Sequence, residues 1–481
     1  METNIIKWNL HSMLRLFKLS LFSIINESSF PIALFIELII VANSLTQDNL
    51  AAYAAISATL TFALNIFNFL VMVTMAQVSK AVGEKNWLKV GSKLRIAMST
   101  GLLIGLCCAL ILFFLTPYIF HFMGLSSTVR NVAEMPFKFR LISLPFMMMQ
   151  RVCIGTLGGY QRLQIMAILA IFVSILEVAS QVYALRFMKG DLLDATIGRV
   201  IVSGIGWFLS FMFVLWFPPK EANGDIQMFR CCTLKNNDAT MMISVNLLEE
   251  KVEELKTEGC WNTIFLEYFI ASGNLIIRSI LLTGSVYAMS VMAGNLGTSA
   301  LAAHQIAITL WMVTSYVCDG FADVGTMVGA NLLARNKFKQ LLTLRNILMF
   351  FGSITGAIAG MIMFLFRIEI LSLFHINDKR TSEILMSIWP ILCIMQIVNA
   401  CVFVLDGLIY AAHAFRFVRN LMLIACLCVF APLLFFVSSI PTFHSLFYIW
   451  IAKTGLNTVR GIGALWLWYI SLPMKWQMAK I

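Results

Sequence analysis

Charge is what this sequence has least of. Only 12% of its 481 residues are Asp, Glu, Lys or Arg, against about 25% in an ordinary soluble domain. That scarcity argues against a chain with water on every side. Short segments of alternating apolar and polar residues are also missing, which removes a closed strand barrel. No HExxH, GxSxG or similar cluster of nucleophile, base or metal ligands stands in the apolar runs, so the chain is not read as an enzyme. The eleven cysteines show no metal-ligand spacing. Most lie inside apolar runs, as do Cys107, Cys108 and Cys426, and are expected as free thiols. Cys231 and Cys232 lie in a polar stretch as an unmodified pair, with palmitoylation the alternative. The first apolar run is too long for the core of a signal peptide and no Arg- and Ser-rich leader precedes it. It is expected to remain as a span.

What is present is apolar sequence, 60% of the chain. Runs of about 20 residues, each enough to cross the hydrocarbon core as a helix, recur from end to end. "TGLLIGLCCALILFFLTPYIF" is one of them. Helices are then the only spanning structure available. The expected fold is all-α integral membrane, with twelve transmembrane helices near 14–43, 50–78, 94–119, 137–158, 163–187, 196–217, 264–293, 299–329, 345–366, 382–411, 419–440 and 446–472. The net charge of +11 is explained by topology rather than by nucleic acid. With both termini cytoplasmic, about 22 Lys and Arg lie inside and about 8 outside. Lys80, Lys85, Lys89, Lys93 and Arg95 crowd one inner loop, and Arg335, Lys337, Lys339 and Arg345 another.

The longest polar stretch, 218–260, opens at Pro218-Pro219 and divides the spans six and six. Within it Val245, Leu248, Val252 and Leu255 recur at helical spacing, as in a short amphipathic helix or a solvated linker helix. The halves resemble each other: "LAAYAAISATLTFALNIFNF" at 50–69 aligns without a gap to "LAAHQIAITLWMVTSYVCDG" at 301–320. Two like-oriented six-helix lobes, 1–217 and 261–481, related by a pseudo-two-fold axis along the membrane normal, are expected. Such parallel repeats occur in transporters that bind between lobes near the midplane.

Ionisable residues in the spans sharpen that expectation, since a charge at the bilayer centre costs at least about 2.5–3.5 kcal/mol and usually faces a cavity or a partner. The candidates are Glu37, Glu177, Arg199, Arg278, Asp319, Asp323, Asp406, Lys453 and Arg460. Asp323 is near enough to its helix end to reach water, and Lys453 and Arg460 can snorkel or pair structurally. His304, beside Gln305, reads either as a hydrogen-bonded packing residue or as a proton carrier. Asn65 and Asn68, about a turn apart, either line a polar path or bond neighbouring helices.

Two stretches carry a family resemblance. "LGTSALAAHQIAITLWMVTSYVCDG" at 296–320 resembles the seventh-to-eighth-span signature of the multidrug and toxic compound extrusion (MATE) family, and Trp311 and Asp319-Gly320 point to its DinF-like branch. "QIVNACVFVLDGLIYAAHAFRFVRN" at 396–420 resembles that branch's tenth span, with Gln396, Asn399, Asp406, Gly407 and Arg419. Arg278 and Arg460 fall where the branch has Arg in spans seven and twelve. The resemblance implies an exporter, with no enzyme activity and no cofactor, that exchanges protons or sodium for small organic solutes such as organic cations, drugs or citrate. It implies two lobes around a central cavity that alternate between facing in and out, in a bilayer, as a monomer. The first lobe departs from the branch's cation site. Leu38 stands at the Asp position of span one with Glu37 beside it, Glu177 and Gln181 hold the Asn and Asp positions of span five, and Arg199 holds the Thr position of span six. The Glu of the NorM-like branch in span seven has only Leu282 near its place.

Arg199 and Glu177 are expected to form an ion pair within the first lobe. Counted back from the turn at 188–195, they lie roughly 5 Å and roughly 15 Å below its outer end, at 1.5 Å per residue, a gap that a long Arg side chain can largely close. Asp319 and Asp406 read either as proton carriers of the second lobe, unless a cation sits beside them, or as structural hydrogen-bond partners of a neighbouring helix. A lipid-linked sugar flippase of the same superfamily and a passive channel are the competing functions. The first often has two extra spans and a strongly basic cavity.

Overall fold

The fold, a computed structural model, describes residues 6–123, 125–222, 261–374 and 378–473. The expected amphipathic helix at Val245–Leu255, the Cys231-Cys232 pair and the C-terminal tail lie outside the described residues.

Every long element is helical. The first six spans are Leu10–Ser44, Gln47–Gly83, Trp87–Phe122, Ser127–Gly159, Leu163–Phe187 and Leu192–Trp216. The second six are Trp261–Asn295, Thr298–Ala334, Phe338–Leu365, Lys379–Ala411, Phe415–Ser439 and Leu446–Ser471. Ten of these are long and apolar enough to cross a membrane by themselves, and the bent fourth makes an eleventh. The twelfth carries Lys453, Asn457 and Arg460 along one helix.

Local chemistry sets the ends. Asn9, Thr46, Asn86, Ser126 and Asp378 each accept a backbone N–H of the first turn that follows them, satisfying donors a helix start leaves free. Asp191 and Asp194 form a reciprocal capping box before the sixth span. Several helices extend beyond the apolar runs read from sequence, as Leu10–Ser44 and Trp87–Phe122 do. Lys89, Lys93 and Arg95, expected in a loop, stand on the third span itself. Left-handed residues close several turns, and they repeat. Lys85 (φ 57°) follows the second span and Asn336 (φ 54°) the eighth, in the register that aligns Leu50 with Leu301. Gln161 (φ 60°) follows the fourth span and His413 (φ 54°) the tenth. The duplication thus reaches into turns where the side chains no longer match.

Two spans are interrupted. The second breaks between Ile66 and Phe69, and the fourth bends by 44° at Ile142. Outward faces carry Phe35, Leu103, Phe114, Phe364 and Phe435, exposed side chains suited to lipid. One buried apolar cluster runs from Val73 and Val78 of the second span to Val324, Met327 and Leu408 of the eighth and tenth, so the lobes share a core. A separate cluster around Trp389, Met395 and Trp450 belongs to the second lobe alone.

The shared core lies toward the face that carries the basic turns. There Ser79 donates to the carbonyl of Met327 at 2.5 Å, and the Thr74 and Tyr268 hydroxyls meet at 3.1 Å. Lys93 pairs with Glu267 at 3.4 Å. Gly320 is required at this seam, because a Cβ would stand 2.8 Å from the backbone nitrogen of Ile24 on the first span.

Candidate functional site

The buried charges gather at three places, one in each lobe and one between them. In the first lobe, Arg199 of the sixth span reaches Glu37 of the first at 2.8 Å. The Tyr53 hydroxyl donates to the same carboxylate oxygen at 2.7 Å and accepts from Arg199 at 3.1 Å. Glu37 is fully buried and its other oxygen has no partner.

This corrects the pairing expected from sequence. Arg199 does not close on Glu177: no contact within 4 Å joins them among the described residues, although Glu177 remains in its electrostatic field. The guanidinium reaches sideways to a neighbouring span at its own depth, which needs no stretch along the helix axis. Arg140 of the fourth span completes the group, donating to Ser203 at 3.3 Å and acting on Glu177 and Arg199. Two carboxylates and two guanidinia are therefore buried together. Gln181 donates to the Ala195 carbonyl at 3.3 Å and leaves its oxygen unpaired.

In the second lobe Asp406 accepts from Arg278 at 2.8 Å and from Arg460 at 2.6 Å, both on one oxygen. Cations sit beside it on two sides, so the condition under which it was expected to carry a proton is not met. The network continues from Arg460 to Asn457 (3.1 Å), Asn399 (3.0 Å) and Ser315 (3.2 Å), linking spans twelve, ten and eight. Lys453 is fully buried, has no hydrogen-bond partner and lies 5.0 Å from the centre of the Trp311 ring, a cation–π contact. It does not snorkel. His304 is fully buried, 3.1 Å from the Ser290 hydroxyl and beside the Trp450 ring. Gln305 is exposed.

The third place is the seam. Ser23 of the first span donates to Asp323 of the eighth at 2.6 Å, and the other Asp323 oxygen is buried without a partner. Asp323 is fully buried, so it does not reach water as its position near the helix end suggested. Glu27 accepts from Asn26 at 2.9 Å and lies in the field of Asp319, Asp323 and Arg151. Asn68 accepts from Arg151 at 2.8 Å, whereas Asn65 is exposed.

Sequence reasoning missed Glu27, Tyr53, Arg140 and Arg151. Glu27 had a signal, the polar run Asn26-Glu27-Ser28-Ser29 inside an apolar stretch. Arg140 and Arg151 lay within the boundaries of the expected fourth span. Tyr53 had none, because a tyrosine in a span is ordinary.

The sequence profile of the MatE family matches residues 23–182 and again 275–436. DETOXIFICATION 44, chloroplastic, of Arabidopsis thaliana is 29% identical over 201 residues, 42% of this chain and 37% of that protein. DETOXIFICATION 42 of the same plant is 24% identical over 192 residues, so the matched part spans 36% of its length. DNA damage-inducible protein F of Escherichia coli (strain K12) is 23% identical over 431 residues, covering 86% of this chain and 83% of that protein. A solved MOP superfamily transporter from Pyrococcus furiosus superimposes with a TM-score of 0.77 at 12% identity, over 97% of this chain and 96% of that one. The twelve-helix, two-lobe fold is common to both.

Proposed function

Since the chain belongs to the multidrug and toxic compound extrusion family of transporters, we propose that it exports small organic solutes by alternating access, driven by a proton taken up at the seam between its lobes. The reading includes a first lobe at 1–217, a linker at 218–260, a second lobe at 261–481, and the basic turns and both termini on the cytoplasmic side.

The observation that carries the coupling is the Ser23–Asp323 bond of 2.6 Å. It joins the lobes across the half that the basic turns assign to the inside. Glu37 and Asp406 are each committed to an ion pair with a guanidinium, which does not give up its proton. Glu27, Asp319 and Asp323 have no cation at ion-pair distance among the described residues. They are free to exchange a proton with the medium when the lobes part. Protonation relieves the repulsion among the three carboxylates and keeps the inner face shut. Deprotonation loosens it.

For the solute, buried charge in the second lobe favours organic anions over cations. Arg278, Lys453 and Arg460 stand against Asp319 and Asp406, and Lys453 has no acceptor of its own.

Proteoliposomes under imposed proton and sodium gradients, offered citrate or a cationic dye from outside, test the reading. A proton gradient should drive uptake of citrate by wild type, and Asp323→Asn should uncouple it while leaving solute-for-solute exchange. Sodium-driven uptake, or an Asp323→Asn variant still driven by protons, overturns the coupling. Solute flux that persists with no exchange partner on the other side marks a channel.

A further inference from the structure

On the basic face a cavity of 270 Å³ lies between the lobes. Gln77 enters it from the second span, Glu267 and Asn274 from the seventh, and His413, Phe415 and Arg416 from the turn and helix start after the tenth. Its walls therefore belong to different lobes.

Several polar atoms that line it are buried and unsatisfied. Gln77 is 1% exposed, yet neither its amide oxygen nor its nitrogen has a partner. Asn274 donates to the Ile270 carbonyl at 2.6 Å and leaves its own oxygen unpaired. His413 leaves Nε2 unpaired. Burial among lysines holds this imidazole well below its usual range, so it is neutral at physiological pH. Buried polar groups are nearly always hydrogen-bonded, and three neighbouring exceptions around one cavity call for an occupant.

Charge narrows what the occupant is. Lys80, Lys89 and Lys93 act on the His413 corner and Arg416 lines the opening, while Glu84 and Glu267 oppose them. The cations exceed the carboxylates by two. A phosphate monoester, with about −1.5 to −2 charges and several acceptor oxygens, matches that excess. The oxygens of Gln77 and Asn274 require donors as well, which hydroxyl groups supply. Basic pockets between spans on the cytoplasmic side are suited to phosphorylated head groups.

We propose that this cavity binds a hydroxylated phosphate monoester, with the phosphate toward Arg416 and the lysines and the hydroxyls on Gln77 and Asn274, and that the bound ester holds the lobes shut on the basic face. A ligand that touches both walls binds only the shut arrangement, and so shifts the equilibrium toward it. The site is separate from the seam carboxylates and does not depend on which cation drives transport. A soluble polyol phosphate and the head group of an inner-leaflet lipid share this chemistry.

The test uses the full chain in phosphatidylcholine nanodiscs. One arm adds dissolved glycerol 3-phosphate, and the other dopes the bilayer with phosphatidylinositol phosphate. Glycerol and inorganic phosphate serve as controls. One arm or both should raise the thermal midpoint by several degrees and slow amide exchange in 76–83 and 327–334 by about tenfold, the response of a segment stabilised by ligand. The responding arm identifies the source. Gln77→Leu and Arg416→Ala should each lose the effect, and Arg416, being exposed, can be replaced without disturbing the core. The proposal is overturned by silence in both arms, by an effect that survives both substitutions, or by inorganic phosphate acting as well as the ester.

Discussion

Arg199 and Glu37 lie 2.8 Å apart on the sixth and first spans, with the Tyr53 hydroxyl bridging them. Both are buried, so neither tolerates loss of the other. Glu37→Gln should destabilise the protein by about 3–5 kcal/mol, the usual cost of stranding one member of a buried pair. Glu177→Gln, which removes no ion pair, should cost far less. Glu37→Arg combined with Arg199→Glu should recover much of the loss. Thermal unfolding in detergent measures the three variants against wild type, and equal losses for Glu37→Gln and Glu177→Gln would refute the assignment.

Asp406 serves two guanidinia at once. Asp406→Asn should therefore lower stability and expression strongly without moving the pH profile of whatever transport remains. Adding Arg278→Gln to Asp406→Asn should restore part of the stability, since one stranded cation is then removed. A shifted pH profile in the single variant would instead return Asp406 to the proton pathway.

Gly320 faces the backbone of Ile24 across the seam. Gly320→Ala should force the lobes apart on the basic face while each lobe keeps its fold. A cysteine placed at Ser79 should then react faster with a water-soluble maleimide than in the parent. An unchanged rate would show that the seam has slack.

Asp378, in the turn before the tenth span, is held down to about 2 by hydrogen bonds from Ser299 and Thr381. Its unfolded value is about 3.9. A lowered value means that its contribution is complete above about pH 3.9 and is lost as pH falls toward about 2. The stability difference between wild type and Asp378→Ala should thus be flat from neutral pH to about 5 and shrink only below about 4. Thermal unfolding across that range checks the sign, and a difference that grows on acidification would contradict it.

The number, order and duplication of the spans were legible because hydropathy and repeat register are properties of sequence alone. The Leu50/Leu301 alignment carries through to Lys85 and Asn336, which share a left-handed turn despite different side chains. Pairing was less legible. Spacing along one helix places a residue in depth but does not say which neighbouring helix it faces. Glu177 and Glu37 were both within reach of Arg199 in sequence terms, and only the packing of the first span chose between them. Asp323 shows the same limit: closeness to a helix end suggested water, and the seam with the first span removed it. The break at Ile66–Phe69 left no proline or glycine to mark it.

That break has a mechanical consequence. The helix of the second span is interrupted at Phe67-Asn68 and the fourth bends at Ile142, and the Arg151–Asn68 bond ties the two spans together beside these points. The first lobe is built in two storeys, the lower one bolted to its partner through Ser79 and Met327. The upper storey is jointed rather than welded to it. Tilting about those joints can widen or pinch the far mouth of the cavity while the floor stays fastened, so the two gates of the cycle need not be worked by one rigid seesaw.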